Sequence, residues 1–436
     1  MADSLFISRE SHRITAALWL VVPLLGAVPY MAAGAVPDFV DALFESVSGF
    51  TTTGSTVIAA PEAMPAWLRL WRALTQWVGG LGLVLFIMAF FPKLGGGSSQ
   101  LYAAEFSGTQ QRKLHPHMAR NVSRMWGIYT LMTLLCAAAL MACSLRDPQR
   151  AGLPVTALAI DSICMALSTV STGGFMTTSA GMAAYSSASM GVLTAFMFLS
   201  GVNLALLYNL FTFHWRRLRG SSEFLVYTVI FAIAVAVCTV AFASGGTPWD
   251  ISARYSLFHI ASTISTCGFF TAAPPQWPFV VSVITFMLIV SGAMAGSTGG
   301  GLKLRRLMTL ALYLRNYFSR MLHPRVVFTI RIDRHVVPAE YVNKIFGFVF
   351  LYILFIIGGA FALTLTGCGI ADALCLASAN IANLGPTPIV GSAGAGLDYA
   401  TLPDAAKCVL MLLMLAGRLE IFSLLAIVSP SYWRKR

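Results

Sequence analysis

Four stretches of the sequence align with one another without gaps: DALFESVSGFTTTGST from Asp41, DSICMALSTVSTGGFM from Asp161, YSLFHIASTISTCGFF from Tyr255 and DALCLASANIANLGPT from Asp372. A repeated segment constrains a fold more tightly than any single motif, because every copy must be one and the same structural unit. Each copy carries a glycine at the same place, Gly54, Gly174, Gly268 and Gly385. Two residues earlier stands Thr52, Thr172, Thr266 or Asn383. Three of the four copies open on Asp, and Tyr255 is the exception.

The surrounding sequence decides the solvent. Hydrophobic residues make up 57% of the 436 and charged residues 11%, where a soluble domain carries roughly 25% charged residues. That is too little charge to cover a water-facing surface. It excludes a soluble multidomain protein, a secreted disulfide scaffold and a disordered chain. A membrane span needs about 20 apolar residues, and eight candidates lie near 14–34, 68–91, 124–144, 187–213, 224–244, 277–320, 343–366 and 404–428. The sixth is too long for one span and is interrupted by a Gly-rich stretch. The first, with Arg9 and Arg13 before it and Ala32-Ala33-Gly34-Ala35 after it, has the outline of a cleavable signal. Its apolar run is long for that role and holds Pro23 and Pro29, and the first repeat needs it as a span.

Eight spans place both termini on one side. Most of the 29 Lys and Arg fall on that side and most of the 17 Asp and Glu on the other, so the positive-inside bias puts both termini in the cytoplasm. The net charge of +12 therefore marks orientation, and no nucleic-acid partner is expected. The basic clusters are Arg112, Lys113, Arg120 and Arg124; Arg216, Arg217 and Arg219; Lys303, Arg305 and Arg306; and Arg325, Arg331 and Arg334. They suit contact with anionic lipid of the bilayer. The eight cysteines, at 136, 143, 164, 238, 267, 368, 375 and 408, show no zinc or redox spacing and read as buried free thiols.

Each repeated segment lies between two spans on the side opposite the termini, too short and too polar to cross. Its first part, about 11 residues, reads as a short re-entrant helix whose opening Asp suits the positive end of the helix dipole. Its Thr-x-Gly end breaks that helix. Non-helical backbone at membrane depth is tolerated only when buried in protein or lining a water-filled cavity. Four such loops can satisfy their carbonyls together by facing one axis and coordinating a dehydrated cation, with Gly permitting the turn of the backbone. The expected fold is an all-α polytopic membrane protein. Four pseudo-symmetric repeats of helix, re-entrant pore helix, filter loop and helix surround a central ion pore. The repeats divide the chain into 1–93, a cytoplasmic loop at 94–123, then 124–214, 215–322 and 323–436.

Two further features stand apart. SGAMAGSTGGGLKLRR, from Ser291 to Arg306, cannot hold a stable helix, since each Gly costs about 1 kcal/mol relative to Ala. The P-loop spacing is absent, which leaves a packed kink or a flexible intramembrane gate. Arg418 lies inside the last span, where a charge costs at least about 2.5 kcal/mol. It cannot face Glu420, two residues away on a helix, and it is expected to face the pore below the filter. Glu420 is expected to pair with a basic residue of another helix. Gln76, Asn203 and Asn209 read as interhelical hydrogen bonds.

TTTGST at 51–56, STVSTGGF at 168–175, STISTCGF at 262–269, NLGPTP at 383–388, AGSTGGGLK at 295–303, LHPRVV at 322–327 and GRLEIF at 417–422 together resemble the TrkH/TrkG/KtrB superfamily of bacterial potassium-uptake proteins. The last two motifs are more similar to the TrkH branch. The resemblance covers nearly the whole chain, which begins at the first repeat without the two extra N-terminal helices common in TrkH-type chains. It implies a potassium-binding filter at Thr52, Thr53, Gly54, Thr172, Gly173, Gly174, Thr266, Cys267, Gly268, Asn383, Leu384 and Gly385. It implies a gate made of Gly296, Ser297, Thr298, Gly299, Gly300 and Arg418. A Gly in all four repeats goes with potassium in this family, and a Ser in the first with sodium-permeable plant relatives. Asn383 and Pro386 depart from the symmetry, so discrimination against sodium is expected to be weaker than in tetrameric potassium channels. Cys267 is expected to pack behind the filter.

The resemblance further implies a homodimer in a bacterial inner membrane. It also implies a cytosolic TrkA- or KtrA-type nucleotide-binding subunit, since the loops of this chain are too short for a nucleotide fold. No cofactor and no transition metal are expected; K+ is the transported ion. A sodium- or proton-coupled potassium symporter on the same fold is the alternative, with little material for a proton relay, because no carboxylate or His is expected at mid-membrane apart from Glu420. An intramembrane enzyme would need a nucleophile–base pair or an H-E-x-x-H spacing within the spans, and the sequence has neither.

Overall fold

The structure is a computed structural model that describes residues 2–82, 118–271, 278–323, 329–333, 335–385, 399–421 and 424–425. The second half of the second expected span, most of the 94–123 loop, and Arg112, Lys113, Arg325, Arg334 and Pro386 lie outside the described residues.

Repeat 1 comprises α1 (Ala2–Ala32), α2 (Phe39–Phe50) and α3 (Ala66–Leu81). Repeat 2 comprises α4 (Met118–Leu145), α5 (Val155–Val170), α6 (Ser187–Ser200) and α7 (Leu204–Phe211), followed by the short α8 (Trp215–Arg219). Repeat 3 comprises α9 (Ser222–Ser244), α10 (Trp249–Ile264), α11 (Phe279–Ser291) and α12 (Leu304–Leu322). A hairpin of β1 (Arg331–Ile332) and β2 (His335–Val336) leads to repeat 4, with α13 (Ala339–Leu365), α14 (Ile370–Ile381) and α15 (Asp404–Arg418).

The first helix of every repeat is a continuous apolar span: Thr15–Ala32, Val122–Leu145, Ser222–Ser244 and Ala339–Leu365. The second helix is a different object. Three of the four begin straight after a proline, Pro65, Pro278 and Pro403, because the residue before a proline is pushed out of the α region. All four stop or break part-way. The expectation of eight spans with only the sixth interrupted is therefore corrected: the fourth is broken as well, α6 and α7 meeting at 115° across Gly201-Val202-Asn203. Gly201 cannot carry a side chain there, since a Cβ would lie 3.3 Å from the Ser265 Cα and would overlap the Tyr227 hydroxyl. Asn203 then caps α7, accepting from the amides of Ala205 (2.8 Å) and Leu206 (3.3 Å).

The re-entrant helices also differ from expectation. They run 12, 16, 16 and 12 residues, so Asp161 sits mid-helix and not in a first turn. It pairs with Arg150 at 2.6 Å. Asp41 pairs with the buried Lys407 of α15 at 2.5 Å. Asp41 and Asp372 do lie in first turns, as expected, and Asp41 and Asp161 are ion-pair partners as well.

Packing closes the ring. Each first helix packs on the re-entrant helix of its own repeat (α1 on α2, α4 on α5, α9 on α10, α13 on α14). Each second helix packs on the re-entrant helix of the next (α3 on α5, α6 on α10, α11 on α14, α15 on α2). The apolar core falls into two halves. One joins repeats 2 and 3 around Met132, Met165, Ile260 and Cys267, and the other joins repeats 4 and 1 around Trp19, Phe44, Tyr352 and Met414. All eight cysteines are free, but only Cys136, Cys164, Cys238 and Cys267 are buried and Cys408 is exposed, which corrects the reading of buried thiols throughout.

Candidate functional site

The four re-entrant helices end in one hydrogen-bond pattern. In repeat 1 the amide of Thr52 donates to Gly49 O (3.0 Å) and that of Thr53 to Ser48 O (2.9 Å). The same pair recurs as Thr172 to Thr169 and Gly173 to Ser168, as Thr266 to Thr263 and Cys267 to Ser262, and as Asn383 to Asn380 and Leu384 to Ala379. This is a Schellman cap, whose pivotal residue adopts the left-handed conformation usually given to Gly. Here that residue is Thr52, Thr172, Thr266 or Asn383, at φ 56°, 55°, 59° and 52°. A β-branched residue in this region is a strained outlier, costing of order 1–3 kcal/mol, and Asn tolerates it best. The strained position is thus two residues before the glycine, as well as at the glycine itself. Side chains brace it: Thr266 Oγ1 accepts from the Gly300 amide at 2.6 Å, and Asn383 Nδ2 donates to Thr53 Oγ1 (3.1 Å) and Met414 O (2.9 Å).

The caps use the carbonyls of the last helical turn and none of those at 51–53, 171–173, 265–267 or 382–384. The last of these in each repeat, those of Thr53, Gly173, Cys267 and Leu384, are the oxygens the four loops bring together. A Cβ on Gly54 would overlap the carbonyl oxygen of Gly173, one on Gly174 that of Cys267, one on Gly268 that of Leu384 and one on Gly385 that of Thr53. Each glycine therefore lies against the carbonyl of the next repeat, and the fourth returns to the first. The loops form one closed ring of backbone oxygens, a hard-oxygen donor set that suits an alkali cation. Of the twelve residues expected at the filter, Thr53, Gly173, Cys267 and Leu384 supply these carbonyls and Gly54, Gly174, Gly268 and Gly385 meet them, while Thr52, Thr172, Thr266 and Asn383 are the left-handed cap residues just before. The Gly173 carbonyl also accepts from Gln76 Nε2 at 2.6 Å, and Ser168 Oγ donates to Gln76 Oε1 at 2.8 Å. Gln76 is thus a brace between repeats, and Cys267 is fully buried in the apolar core behind the ring.

Directly beneath lies the Gly-rich segment. Thr298 Oγ1 donates to Val170 O or Ser200 O, each at 3.2 Å. A Cβ on Gly299 would lie 2.6 Å from Ser265 O, and one on Gly300 would overlap Ala382 O. The segment thus packs against the ends of three re-entrant helices. Its φ values of 68° at Gly292, 75° at Gly296 and 76° at Gly301 need glycine. The break in the fourth span is its seat: Leu204 N donates to Gly296 O (3.0 Å), Met294 N to Gly201 O (3.1 Å) and Asn203 Nδ2 to Ala295 O (2.5 Å).

Arg418 closes the arrangement from α15. Its guanidinium donates to Thr298 O (3.2 Å), to Gly80 O (2.7 Å) and to Gly79 O. It satisfies the carbonyls freed where α3 ends, and ties them to the Gly-rich segment. Glu420 pairs with Arg306 at 2.8 Å, as expected of a partner on another helix. Arg418, Gly80, Glu420 and Arg306 line a cavity of about 790 Å³, together with Lys303, Arg305 and Glu223.

Three features escaped the reading of the sequence. Glu45 is a fully buried acid in α2, paired with Arg72 at 2.6 Å. Arg72 also donates to Met176 O at 2.8 Å and lies 3.6 Å from the Phe175 ring centroid. Glu45 is thus a buried acid within the re-entrant layer, where none was expected. Glu223, the acid that holds the Gly-rich segment, is the second. The third is the break in every second helix, whose signal was available: a small residue and a Gly recur at Gly79-Gly80, Ser200-Gly201, Ser291-Gly292 and Ala416-Gly417.

A family model described as "TrkH: Cation transport protein" matches residues 4–435. The Trk system potassium uptake protein TrkH of Salmonella typhimurium is 32% identical over 98% of this chain and 86% of its own length. The Trk system potassium uptake protein TrkG of Escherichia coli is 28% identical over 98% and 86%. The crystal structure of the potassium transporter TrkH from Vibrio parahaemolyticus superposes with a TM-score of 0.83 at 30% identity, covering 98% of this chain and 86% of that one. With the fourfold ring and a match across nearly its full length, the chain belongs to the TrkH family of cation transport proteins.

Proposed function

We propose that this chain is the potassium-conducting subunit of a Trk-type uptake system. Cations pass through the ring of loop carbonyls, and the Gly-rich segment with Arg418 is the gate beneath it. The observation that carries this reading is the closed ring in which each loop glycine meets the next repeat's carbonyl. Such a ring replaces a cation's hydration shell with oxygens. The filter comprises Thr52, Thr53, Gly54, Thr172, Gly173, Gly174, Thr266, Cys267, Gly268, Asn383, Leu384 and Gly385. The gate comprises Gly296, Ser297, Thr298, Gly299, Gly300 and Arg418. A guanidinium below the ring repels a second cation and, by holding three carbonyls, keeps the segment under the filter.

The relatives are named as members of a Trk system, which supports a partner subunit. The finer reading is a cytosolic nucleotide-binding subunit of TrkA or KtrA type on the basic face. It includes a homodimer in a bacterial inner membrane with both termini in the cytoplasm.

The test is rubidium and sodium flux into proteoliposomes holding the purified chain, with and without opposing ion gradients. Passive rubidium uptake above that of sodium is expected. Rubidium uptake that requires a sodium or proton gradient would replace the pore with a symporter, and equal uptake of both ions would overturn the filter.

A further inference from the structure

The first turn of α9 reaches in two directions at once. Ser222 receives the hairpin: its amide and its hydroxyl donate to Asp333 Oδ1 at 2.8 and 2.6 Å. Asp333 sits in the β1–β2 turn at φ 51°, next to the exposed His335 and Val336. Glu223, the next residue, is buried and points to the Gly-rich segment. Its Oε1 accepts from the Ala295 amide at 2.7 Å, and its Oε2 lies 3.7 Å from Arg305 Nη1. One carboxylate thus grips the segment between Gly292 and Gly296 and again after Gly301. Arg306, the neighbour of Arg305, is held from the other side by Glu420. The start of α12 is clamped between two repeats.

The chemistry suits a hold that can be released. A carboxylate in a first helical turn is favoured by the helix dipole, and a hydrogen bond to a charged acceptor is among the stronger ones. Both contacts are side-chain contacts at a helix end. A small rotation of that turn changes them without unfolding α9, whose apolar body is anchored as a span. We propose that the first turn of α9 is a lever on the Gly-rich segment: Glu223 is a positioning residue that holds the segment, and Asp333, through Ser222, couples that hold to the exposed hairpin. The functional meaning of the lever rests on the reading of this segment as a gate; its mechanics do not.

Amide hydrogen exchange of the full chain in lipid nanodiscs separates the two. Glu223→Ala should speed exchange across 293–301 about tenfold and leave α5 and α10 unchanged. Asp333→Ala, which touches none of that segment, should speed it in the same direction by a smaller factor, and should add nothing in the Glu223→Ala background. Glu223→Gln keeps an acceptor for the Ala295 amide and loses the pair with Arg305. It should fall between, and it serves if the alanine variant does not fold. The lever is overturned if Glu223→Ala leaves the segment as protected as before. It is equally overturned if Asp333→Ala loosens only the hairpin and the α9 terminus, or if the two effects simply add. Rubidium flux is the second readout, expected to rise with exchange. A segment that loosens while neither parent nor variant passes rubidium keeps the lever and sinks the potassium pore.

Discussion

The ring of loops and the layer beneath it come from the same four repeats, yet only the ring keeps the fourfold pattern. Every re-entrant helix ends in the same Schellman cap with the same left-handed residue, and every loop glycine meets the next loop's carbonyl. Beneath, the four second helices share a small residue and a Gly at the break, but the described residues depart from it in four different ways. The first stops at Leu81, the second bends by 115°, the third opens into the Gly-rich segment, and the fourth ends on Arg418. A site that coordinates a round ion from all sides gains from symmetry. A gate of the kind proposed, with one segment across the axis, needs one repeat to differ. The bracing behind the loops is also unequal: Arg72, itself held by Glu45, and Gln76 tie repeat 1 to repeat 2, and Asn383 and Asn380 tie repeat 4 to repeat 1.

The sharpest break of this comparison lies in the bracing. Removing one partner of a buried pair leaves an uncompensated charge, so Arg72→Met alone should cost about 3–5 kcal/mol, read as a fall in thermal stability in detergent. Arg72→Met with Glu45→Leu should lose less than the single change. Next come the loop glycines. Ala at Gly54, Gly174, Gly268 or Gly385 should each cut rubidium uptake by roughly a hundredfold, equivalent to about 2.7 kcal/mol. Near-equal losses at all four sites would support the ring, and one tolerant site would break its symmetry.

The lower layer should respond in the opposite direction. Arg418→Ala frees three carbonyls and the segment they hold, and rubidium uptake by the chain alone should rise about tenfold. Arg418→Lys, a point donor in place of a fork, should fall between. At the strained caps, Thr172→Asn should stabilise by about 0.5–1 kcal/mol and Asn383→Thr should do the reverse, measured by thermal unfolding. The smallest effect is expected at the loop edge. Glu62 accepts from Ser179 N (2.8 Å) and Oγ (2.5 Å), joining the connecting segments of repeats 1 and 2. Partial burial opposes its charge, but the Ser179 donors outweigh that and hold the carboxyl below its usual value. The link is therefore present at neutral pH and is lost as pH falls through that lowered value. Glu62→Ala should change stability by less than about 0.5 kcal/mol at pH 7.

The repeat and the first span of each copy were legible because they rest on local composition and gapless alignment. So was the oddity of Arg418, since a charge in an apolar run needs a reason. Partners were not legible. Arg418 bonds to Gly79 and Gly80, more than 300 positions away, and nothing in its own neighbourhood names them. Glu45 reads as an ordinary polar residue of a short helix until Arg72 is placed beside it. Asp161 reads as a helix-opening acid until α5 proves to begin at Val155.

By itself the sequence determined the chemistry of the ring: four copies of one capped helix, each ending in a residue and a glycine that turn carbonyls away from the helix. Local backbone preference and repetition suffice for that. Only the tertiary structure decided that these loops close on one another in the order one to four and back. It also decided that Glu223 and Arg418 hold the Gly-rich segment from different repeats, and that the fourth span breaks to seat it. Those are contacts between distant parts of the chain. Their energy depends on distance and burial, and neither is written in the order of the residues.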